Sequence, residues 1–209
     1  MGHFALAAKS AVIASRIQQR GLRSVFKVAL QQRPCLVVCL LSLLMTDACL
    51  AAPGDLDTTF NGSGKVTTLM GTGPDYGRAV AIQSDGKILL AGSASIPTYR
   101  DFTLLRYNAN GSLDTNFNGT GKVTTPMSSY DDYGRGIAVQ GDGKILVAGY
   151  AGSAYVDFAL ARYETNGTLD TTFNSTGRII TPVGTGDDCG QSVALQADQR
   201  ILVAGYARI

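Results

Sequence analysis

Residues 134–149 read Gly-Arg-Gly-Ile-Ala-Val-Gln-Gly-Asp-Gly-Lys-Ile-Leu-Val-Ala-Gly, two short apolar runs on either side of Gly-Asp-Gly. Asp-Gly between apolar runs indicates a β-hairpin, because glycine accepts the positive φ of a tight turn without strain. The same pattern occurs at residues 77–92. A third copy at residues 190–205 has Gln199 where the others have the turn glycine, so we expect its turn to differ or to carry strain.

A second segment recurs with the same spacing and shows that the chain is built from repeats. The octapeptide Gly-Asp-Leu-Asp-Thr-Thr-Phe-Asn at residues 54–61 returns, nearly unchanged, at 111–118 and at 167–174. The period is 57 and then 56 residues, and the difference falls between Gly92 and Asp101. Loops tolerate such insertions, so a loop is predicted there. The repeat units are therefore residues 54–110, 111–166 and 167–209.

Each complete unit is predicted to contain four short strands, since runs rich in Val, Ile, Thr and aromatic residues are bounded by Gly, Asn and Asp. In the second unit they cover residues 121–125, 135–140, 144–149 and 158–163. No stretch keeps the helical period over the length that a helix needs. The strands are apolar on both faces, as at residues 88–91, which indicates sheets stacked against sheets.

Repeated four-stranded sheets of ~40 to 50 residues are typical of β-propeller blades. We therefore predict an all-β, propeller-like array of antiparallel blades. The third unit stops at Ile209 with 43 residues where the second has 56. Its fourth strand is missing, so two blades are expected to be complete and one incomplete. A propeller has about 4 to 8 blades, so the ring is expected not to close.

Three long motifs carry a resemblance to a known family. They are Leu-Asp-x-x-Phe-Asn-x-x-Gly, Gly-Arg-x-x-Ala/Val-x-Gln-x-Asp-Gly-Lys-Ile-Leu-x-Ala-Gly, and Asp-Phe-x-Leu-x-Arg-Tyr. In these motifs the chain resembles the delta-60 repeats, a bacterial β-propeller module of unassigned function. The resemblance covers residues 54–209, and the third copy departs from it at Cys189, Gln191 and Gln199.

The first 51 residues differ from the repeats. Six basic residues and no acidic one precede an apolar run at residues 35–45, and the small residues Cys49 and Ala51 follow it. This order is typical of a secretory signal peptide cleaved after Ala51. A membrane anchor would need ~20 apolar residues, and a lipoprotein signal ending at Cys49 lacks the usual leucine. We expect export to the periplasm, the cell surface or the medium.

Removing residues 1–51 changes the chemistry that is available. The remaining 158 residues carry 12 Lys and Arg against 15 acidic residues, a net charge of −3, with no His, no Trp and one cysteine. Catalysis by Ser-His-Asp or Cys-His, His-bearing zinc sites and an internal disulfide are excluded. The acidic balance and the lack of a basic run predict no nucleic-acid partner. No membrane contact is expected after cleavage.

Metal binding is one hypothesis for the aspartates of the Leu-Asp motif, because hard oxygen ligands suit calcium. Their spacing does not match the EF-hand loop, and Asx side chains commonly cap turns. We predict turn capping and no metal site. The residues concerned are Asp57, Asp114 and Asp170, with Asn108, Asn110 and Asn118 nearby.

Five asparagines fit the glycosylation pattern, but four of them precede glycine and the resemblance is bacterial, so turns are predicted. They are Asn61, Asn110, Asn118, Asn166 and Asn174. The glycine pairs Gly62/Gly64 and Gly119/Gly121 precede strands rather than a helix, so they predict no phosphate-binding loop.

The remaining candidates have a structural and a functional interpretation. A ligand face is one interpretation of Tyr76, Tyr133 and the two Arg-Tyr pairs, Arg106-Tyr107 and Arg162-Tyr163. Their recurrence favours packing and hydrogen bonding instead. The acid pairs Asp131-Asp132 and Asp187-Asp188 suit general acid–base work, but a solvated loop is favoured. Cys189 is interpreted as a small buried residue rather than an intermolecular disulfide.

The leading hypothesis is an exported, non-enzymatic repeat protein that acts as a binding or surface scaffold for an unknown protein or glycan. Further blades or self-association are expected to cover its open faces. The alternatives are a propeller-type enzyme acting on polysaccharide or carrying a quinone cofactor, and a truncated gene product without independent function. No catalytic, cofactor-binding or metal residue is predicted. The loops at residues 149–157 and 70–74 are the first mutagenesis targets.

Overall fold

A computed structural model describes residues 4–7 and 54–209. Every regular element in this part of the chain is a β-strand. The predicted signal peptide, residues 1–51, lies outside the described residues apart from 4–7. The strands are β1 Phe4–Ala7, β2 Lys65–Thr68, β3 Asp75–Ile82, β4 Ile88–Ile96, β5 Tyr99–Tyr107, β6 Lys122–Thr125, β7 Tyr133–Val139, β8 Ile145–Gly152, β9 Val156–Tyr163, β10 Arg178–Thr181, β11 Cys189–Leu195 and β12 Ile201–Tyr206.

The chain divides into two compact units, one of residues 1–6 with 66–209 and one of residues 7–65. In the second, residues 54–64 form a tight turn, in which Gly64 N–H donates to the Phe60 carbonyl at 2.7 Å. The part of the chain that the structure describes contains no helix that could span a membrane.

Three sheets in the larger unit confirm the predicted all-β, propeller-like array. Blade 1 is the antiparallel sheet β3-β4-β5-β6, blade 2 is β7-β8-β9-β10, and blade 3 is the pair β11-β12. A further two-stranded sheet joins β1 to β2. The first strands of successive blades lie beside one another, β3 against β7 and β7 against β11. Within residues 66–209 the sheets do not close into a ring, as predicted.

The sheets do not coincide with the repeat units of the sequence. Strand β6 opens the unit 111–166 but pairs with β5 of the preceding unit, Leu104 opposite Val123. Strand β10 likewise pairs with β9. Each complete blade therefore combines three strands of one repeat unit with the first strand of the next unit, and assigning the four strands of a single unit to one sheet is wrong. The reason is that each Leu-Asp turn folds back on the blade before it, through the bridges Tyr107 to Leu113 and Tyr163 to Leu169.

Alternate residues of the central strands face opposite neighbours, which explains why these strands are apolar on both faces. In β8, Val147 packs in the cluster shared with blade 1, where Leu89 and Phe102 lie. Its neighbour Leu146 packs toward blade 3 against Val193. Leu89, Leu146 and Val147 are all fully buried. The stacked blades therefore share two apolar layers.

Glycines let the backbones of neighbouring blades touch. A Cβ at Gly134 in β7 would lie 2.4 Å from the Gly92 carbonyl oxygen in blade 1. The next junction repeats this arrangement, since a Cβ at Gly190 would lie 2.4 Å from the Gly149 carbonyl oxygen. Distances below 3 Å leave no room for a side chain. The recurring glycines of the Asp-x-Gly and Ala-Gly motifs thus set the spacing between blades.

The hairpin between the first two strands is the same in all three blades. Gly86 and Gly143 have φ of 82° and 85°, and Gln199 has φ of 67° at the equivalent position. Gln199 N–H donates to Gln196 O at 2.9 Å, as Gly86 N–H does to Gln83 O. Of the two predicted outcomes for the third turn, the strained one is correct. A left-handed conformation costs a non-glycine residue about 1 kcal/mol.

Candidate functional site

The two ends of each blade differ in chemistry. One end, which we call the hairpin end, holds the Asp-Gly hairpins and the last residues of the third strand, such as Lys87 and Arg106 in blade 1. The opposite end, the loop end, holds the start of the first strand and the loop between the second and third strands. In blade 1 these are Tyr76 and residues 97–98.

A buried ion pair occupies the hairpin end of blade 1. Arg106 Nε donates to Asp114 Oδ2 at 2.8 Å, with Lys87 Nζ 3.6 Å from the same oxygen. The guanidinium also donates to the Thr165 carbonyl at 2.6 Å and lies 4.4 Å from the centre of the Phe117 ring. Burial favours a higher pKa for Asp114, but the hydrogen bond and charge of Arg106 hold the pKa below its usual value.

Blade 2 repeats this arrangement. Arg162 Nε and Lys144 Nζ donate to Asp170 Oδ2 at 2.7 and 2.8 Å, and Lys144 also reaches Glu164 at 2.9 Å. The Arg162 guanidinium lies 4.6 Å from the Phe173 ring centre. The Lys144 hydrogen bond lowers the pKa of Asp170. The recurrence of the same contacts indicates that Arg106 and Arg162 hold each Leu-Asp turn against its blade.

The same aspartates cap turns. Asp114 Oδ1 accepts a hydrogen bond from Asn116 N–H at 3.1 Å, and Asp170 Oδ1 accepts one from Thr172 N–H at 3.0 Å. In the smaller unit Asp57 Oδ1 accepts from Thr59 N–H, also at 3.0 Å. Groups of three or more His, Cys, Asp or Glu suited to a metal ion are not found in the described residues.

The asparagines of the glycosylation pattern also lie in turns. Asn61, Asn118 and Asn174 have φ between 48° and 49°, and each donates through Nδ2 to a backbone carbonyl four residues later. The left-handed conformation explains why Asn is suited to these positions. The predicted turns are confirmed there.

A polar cleft of about 450 Å³ lies at the hairpin end between blades 1 and 2. Its charged groups already have partners: Arg106 is paired with Asp114, and Lys87 contacts Asp85 at 3.3 Å. We therefore regard the cleft as a junction between blades. Its lining is Gln83, Ser84, Asp85, Lys87, Arg106, Asn116, Gly143, Thr165 and Asn166.

The tyrosines of the two Arg-Tyr pairs have a structural role, as predicted. Tyr107 and Tyr163 are fully buried. Their hydroxyls donate at 2.8 Å to the hydroxyls of Thr68 and Thr125. Burial raises the pKa of both phenols. These residues are therefore not available to a ligand.

The loop end carries an irregularity at the same place in each blade. The pairing of the first and second strands shifts between Gly77 and Ala79 in blade 1, and equivalently in blades 2 and 3. The extra residue of such a β-bulge leaves the ladder, and bulges often re-aim a side chain near a functional site. The bulged residues are Arg78, Arg135 and Gln191.

These arginines belong to a continuous row of cationic and aromatic side chains across blades 1 and 2. We call it the arginine–tyrosine ladder; its members are Tyr76, Arg78, Arg100, Tyr133, Arg135 and Tyr150. The Arg78 guanidinium lies 5.0 Å from the Tyr76 ring centre, and the Arg100 guanidinium lies 5.4 Å from Tyr76 and 5.5 Å from Tyr133. Cation–π contacts at such distances are attractive.

The row continues within blade 2. The Tyr133 and Tyr150 rings stack with centroids 4.9 Å apart. The Arg135 guanidinium lies 5.3 Å from the Tyr150 ring centre, and its Nη2 donates to the Tyr150 hydroxyl at 2.7 Å. The structure therefore brings together Tyr76 and Tyr133, which the sequence singled out. It adds four residues that sequence reasoning missed.

The ladder varies between repeats, whereas the Arg–Asp ion pair of the hairpin end is the same in blades 1 and 2. The position of Tyr76 and Tyr133 holds Cys189 in the third copy, and the position of Tyr150 holds Ser93 in the first. In repeat proteins the face that varies between units is often the binding face. This internal variation is a signal that the sequence contains and that points to the loop end.

The prediction that the acid pairs Asp131-Asp132 and Asp187-Asp188 lie in solvated loops is wrong for the second member of each pair. Asp132 and Asp188 are fully buried. Asp132 Oδ2 accepts hydrogen bonds from Met127 N–H at 2.7 Å and Ser128 N–H at 3.0 Å, and Asp188 Oδ2 accepts two at 2.7 Å. Backbone donors compensate the burial of these carboxylates. The repeated Asp thus closes the loop that precedes each first strand.

Asp101 in blade 1 is close enough to the buried Asp132 carboxylate to be affected by its charge. Burial, and then the charges of Asp132 and Asp131, raise its pKa to about 6. Burial, and then the charge of Asp188, also raise the pKa of Asp157. This Asp of the first two repeats therefore carries an electrostatic cost at neutral pH.

We expect Asp101→Asn to stabilise the protein at pH 8. A carboxyl with a raised folded pKa destabilises the fold when it ionises, so the cost is absent below the usual value of 3.8 and complete above about 6. The gain in unfolding free energy at pH 8 should be about 1–2 kcal/mol and should vanish near pH 3.5. Urea denaturation at both pH values measures it. Asp142→Asn, in an exposed hairpin, is the control, and an equal gain at both pH values would contradict the assignment.

Cys189 is 4% exposed and makes no disulfide, so the interpretation as a small buried residue is confirmed. It occupies the ladder position that tyrosine holds in blades 1 and 2. The ladder therefore does not continue unchanged into blade 3.

Residues 83–117 and 140–173 match the model of a family described as a domain of unknown function (DUF5122) beta-propeller. Each match runs from a hairpin to the phenylalanine of the next Leu-Asp turn, Phe117 or Phe173. The matched segments therefore cross the sequence-unit boundaries, as the sheets do. They support a β-propeller repeat family for this chain. No curated protein matches the chain.

Proposed function

We propose that this protein is an exported, non-enzymatic binding scaffold of the delta-60 repeat type, and that the loop end is its ligand-binding face. The observation that carries the proposal is the arginine–tyrosine ladder. It places partly exposed aromatic and cationic groups of two adjacent blades beside one another. Such groups dominate recognition surfaces because they supply large contact area and directional hydrogen bonds.

Two further features support the loop end over the hairpin end. Tyr76 is 37% exposed. Tyr99 and Tyr130, also at the loop end, are 43% and 48% exposed, and the centroids of these two rings lie 5.7 Å apart. The mutagenesis targets at residues 70–74 and 149–157 also lie at this end. At the hairpin end the buried Arg106 is bound by Asp114.

Binding to arrays of immobilised glycans and of proteins tests the proposed face. The purified chain should bind at least one class of probe, and Tyr76→Ala combined with Tyr133→Ala should remove that binding. Arg200→Ala is the control, because the Arg200 side chain is 78% exposed and lies at the hairpin end, away from the proposed face. If no binding depends on the ladder, the proposed function fails.

Export is a separate part of the proposal. It is supported by the basic segment, the apolar run and the small residues of the first 51 positions. Expression with the native leader should yield a periplasmic or secreted chain whose intact mass corresponds to a start at Ala52. A cytoplasmic product of full mass would contradict export.

We also infer that the open faces of the end blades bind a second copy of the chain. Val80 and Ile82 in blade 1 are 55% and 68% exposed, although their blade 2 equivalents, such as Val139, pack against the preceding blade. At the other end Leu202 is 51% exposed, whereas its equivalent Leu146 is fully buried. The two faces therefore match each other as neighbouring blades do.

Light scattering of the purified chain of residues 52–209 should show concentration-dependent oligomers. Ile82→Lys should shift the equilibrium toward the monomer, because it places a charge in the apolar contact. Thr98→Lys, in an exposed loop, should not. A monomer at all concentrations would refute self-association.

A further inference from the structure

We infer that the arginine–tyrosine ladder binds a carboxylate-bearing polysaccharide, with the guanidiniums of Arg78 and Arg135 contacting successive carboxylates. This inference rests on the proposed binding function of the loop end and names the chemical class of its ligand. Arginine is suited to the task because its planar fork matches a carboxylate with two parallel hydrogen bonds.

The first argument is that two of the three ladder guanidiniums form no ion pair among the described residues. In the part of the chain that the structure describes, ion pairs involve Arg100, Arg106, Arg162 and Arg200, but neither Arg78 nor Arg135. The Arg135 Nε is buried and has no hydrogen-bond partner. The Nε of Arg135 has lost its water without gaining an acceptor. A ligand carboxylate bound to the terminal nitrogens of this guanidinium would supply the negative charge that the protein does not provide.

The second argument is that the nearby acids are bound by groups other than Arg78 and Arg135. Asp131 is committed to Arg100, accepting from its backbone N–H at 2.9 Å and from Nη1 at 3.4 Å. Asp132 is buried and bonded to Met127 and Ser128. Of the three ladder guanidiniums, only that of Arg100 is therefore ion-paired, and those of Arg78 and Arg135 remain for a ligand carboxylate.

The third argument separates this ligand from a nucleic acid. Proteins bind single strands by stacking bases on open aromatic faces. Here the rings are already occupied: Tyr133 stacks on Tyr150, and two guanidiniums lie within 5.4 Å of the Tyr76 ring centre. The Tyr133 hydroxyl already donates to Asp131 at 3.2 Å. What the ladder presents is guanidinium N–H groups and the Tyr150 hydroxyl, which accepts from Arg135. These are donors for carboxylate and sugar oxygens.

The fourth argument concerns the polymer. The two unpaired arginines occupy the same bulge of adjacent blades, so the site repeats with the blades. A polymer with a carboxylate on each sugar can engage both arginines at once, and the second contact then forms intramolecularly. A single sugar acid can engage only one of them at a time.

The test uses the purified chain and polygalacturonate, with its fully methyl-esterified form as the uncharged match, in calorimetry or affinity electrophoresis. Arg78→Gln and Arg135→Gln are suitable variants because Gln191 occupies the same bulge in blade 3. Arg200→Gln is the matched control, since Arg200 is 78% exposed at the hairpin end. Circular dichroism checks that all variants fold.

Polygalacturonate should bind, and the methyl ester should bind at least about tenfold more weakly. Each ladder variant should weaken binding about tenfold, and Arg200→Gln less than twofold. Equal binding of the ester, equal loss in Arg200→Gln, or tighter binding of poly(U) would overturn the inference. A neutral glycan or protein bound through the ladder would overturn this inference and leave the proposed function standing. No ladder-dependent ligand at all would remove both.

Discussion

Gly134→Ala is expected to lower the free energy of unfolding by about 4 kcal/mol, more than a typical overpacked core. The added Cβ would lie 2.4 Å from the Gly92 carbonyl oxygen and 3.4 Å from Val147 Cγ1. The closest atom is backbone in the neighbouring blade, so rotating a side chain cannot relieve the contact. Blades 1 and 2 must move apart, which opens the apolar layer around Leu89 and Phe102.

Urea denaturation measures this loss, and hydrogen exchange in β4 and β7 locates it. Gly141→Ala is the matched control. Gly141 is exposed, and its nearest neighbouring atom, Gln199 Oε1, would be 3.8 Å from the new Cβ. The control should change stability by less than about 0.5 kcal/mol. Equal stability of the two variants would show that the blades do not meet at Gly134.

Asp114→Asn is expected to cost about 3 kcal/mol of unfolding free energy, because it leaves the Arg106 guanidinium buried without its carboxylate. Asp114 and Arg106 are 3% and 7% exposed, and their atoms are 2.8 Å apart. The loss corresponds to a fall in Tm of roughly 6–12 °C for a domain of this size. The Leu-Asp turn and β6, which the pair holds against blade 1, should loosen first.

The effect of Asp114→Asn should depend on pH. The pKa of Asp114 lies below its usual value of 3.8, so its stabilisation is complete above that value and is lost as the pH falls further. The variant and the unchanged protein should therefore converge in strong acid. Asp85→Asn is the control, since Asp85 contacts Lys87 at 3.3 Å but its side chain is 54% exposed. A similar loss in Asp85→Asn would show that burial of the pair is unimportant.

Much of the fold could be predicted because it depends on local chemistry. The hairpin at Gly143, the Asn118 turn and the two-faced apolar strands follow from residues within a few positions of one another. Recurrence also separated structural from variable positions, and Tyr107 and Tyr163 are buried as expected.

The candidate site could be predicted only in part. Tyr76 and Tyr133 were recognised, but Arg100 was not, because its contact with Tyr133 spans 33 residues and depends on how two blades meet. The bulges at Arg78 and Arg135 arise from strand register, which neighbouring residues alone do not specify. Asp132 was placed in a solvated loop because the backbone donors that compensate its burial are visible only in three dimensions.

The repeat, its period and its strands were therefore determined by the sequence alone, since propensity, alternation and turn chemistry act over short distances. Only the tertiary structure decided how strands are shared between units, which glycines face another backbone and which guanidiniums lack a carboxylate. These properties depend on residues of different repeats brought into contact. The arginine–tyrosine ladder is such a property, because Arg100 of blade 1 lies against Tyr133 of blade 2.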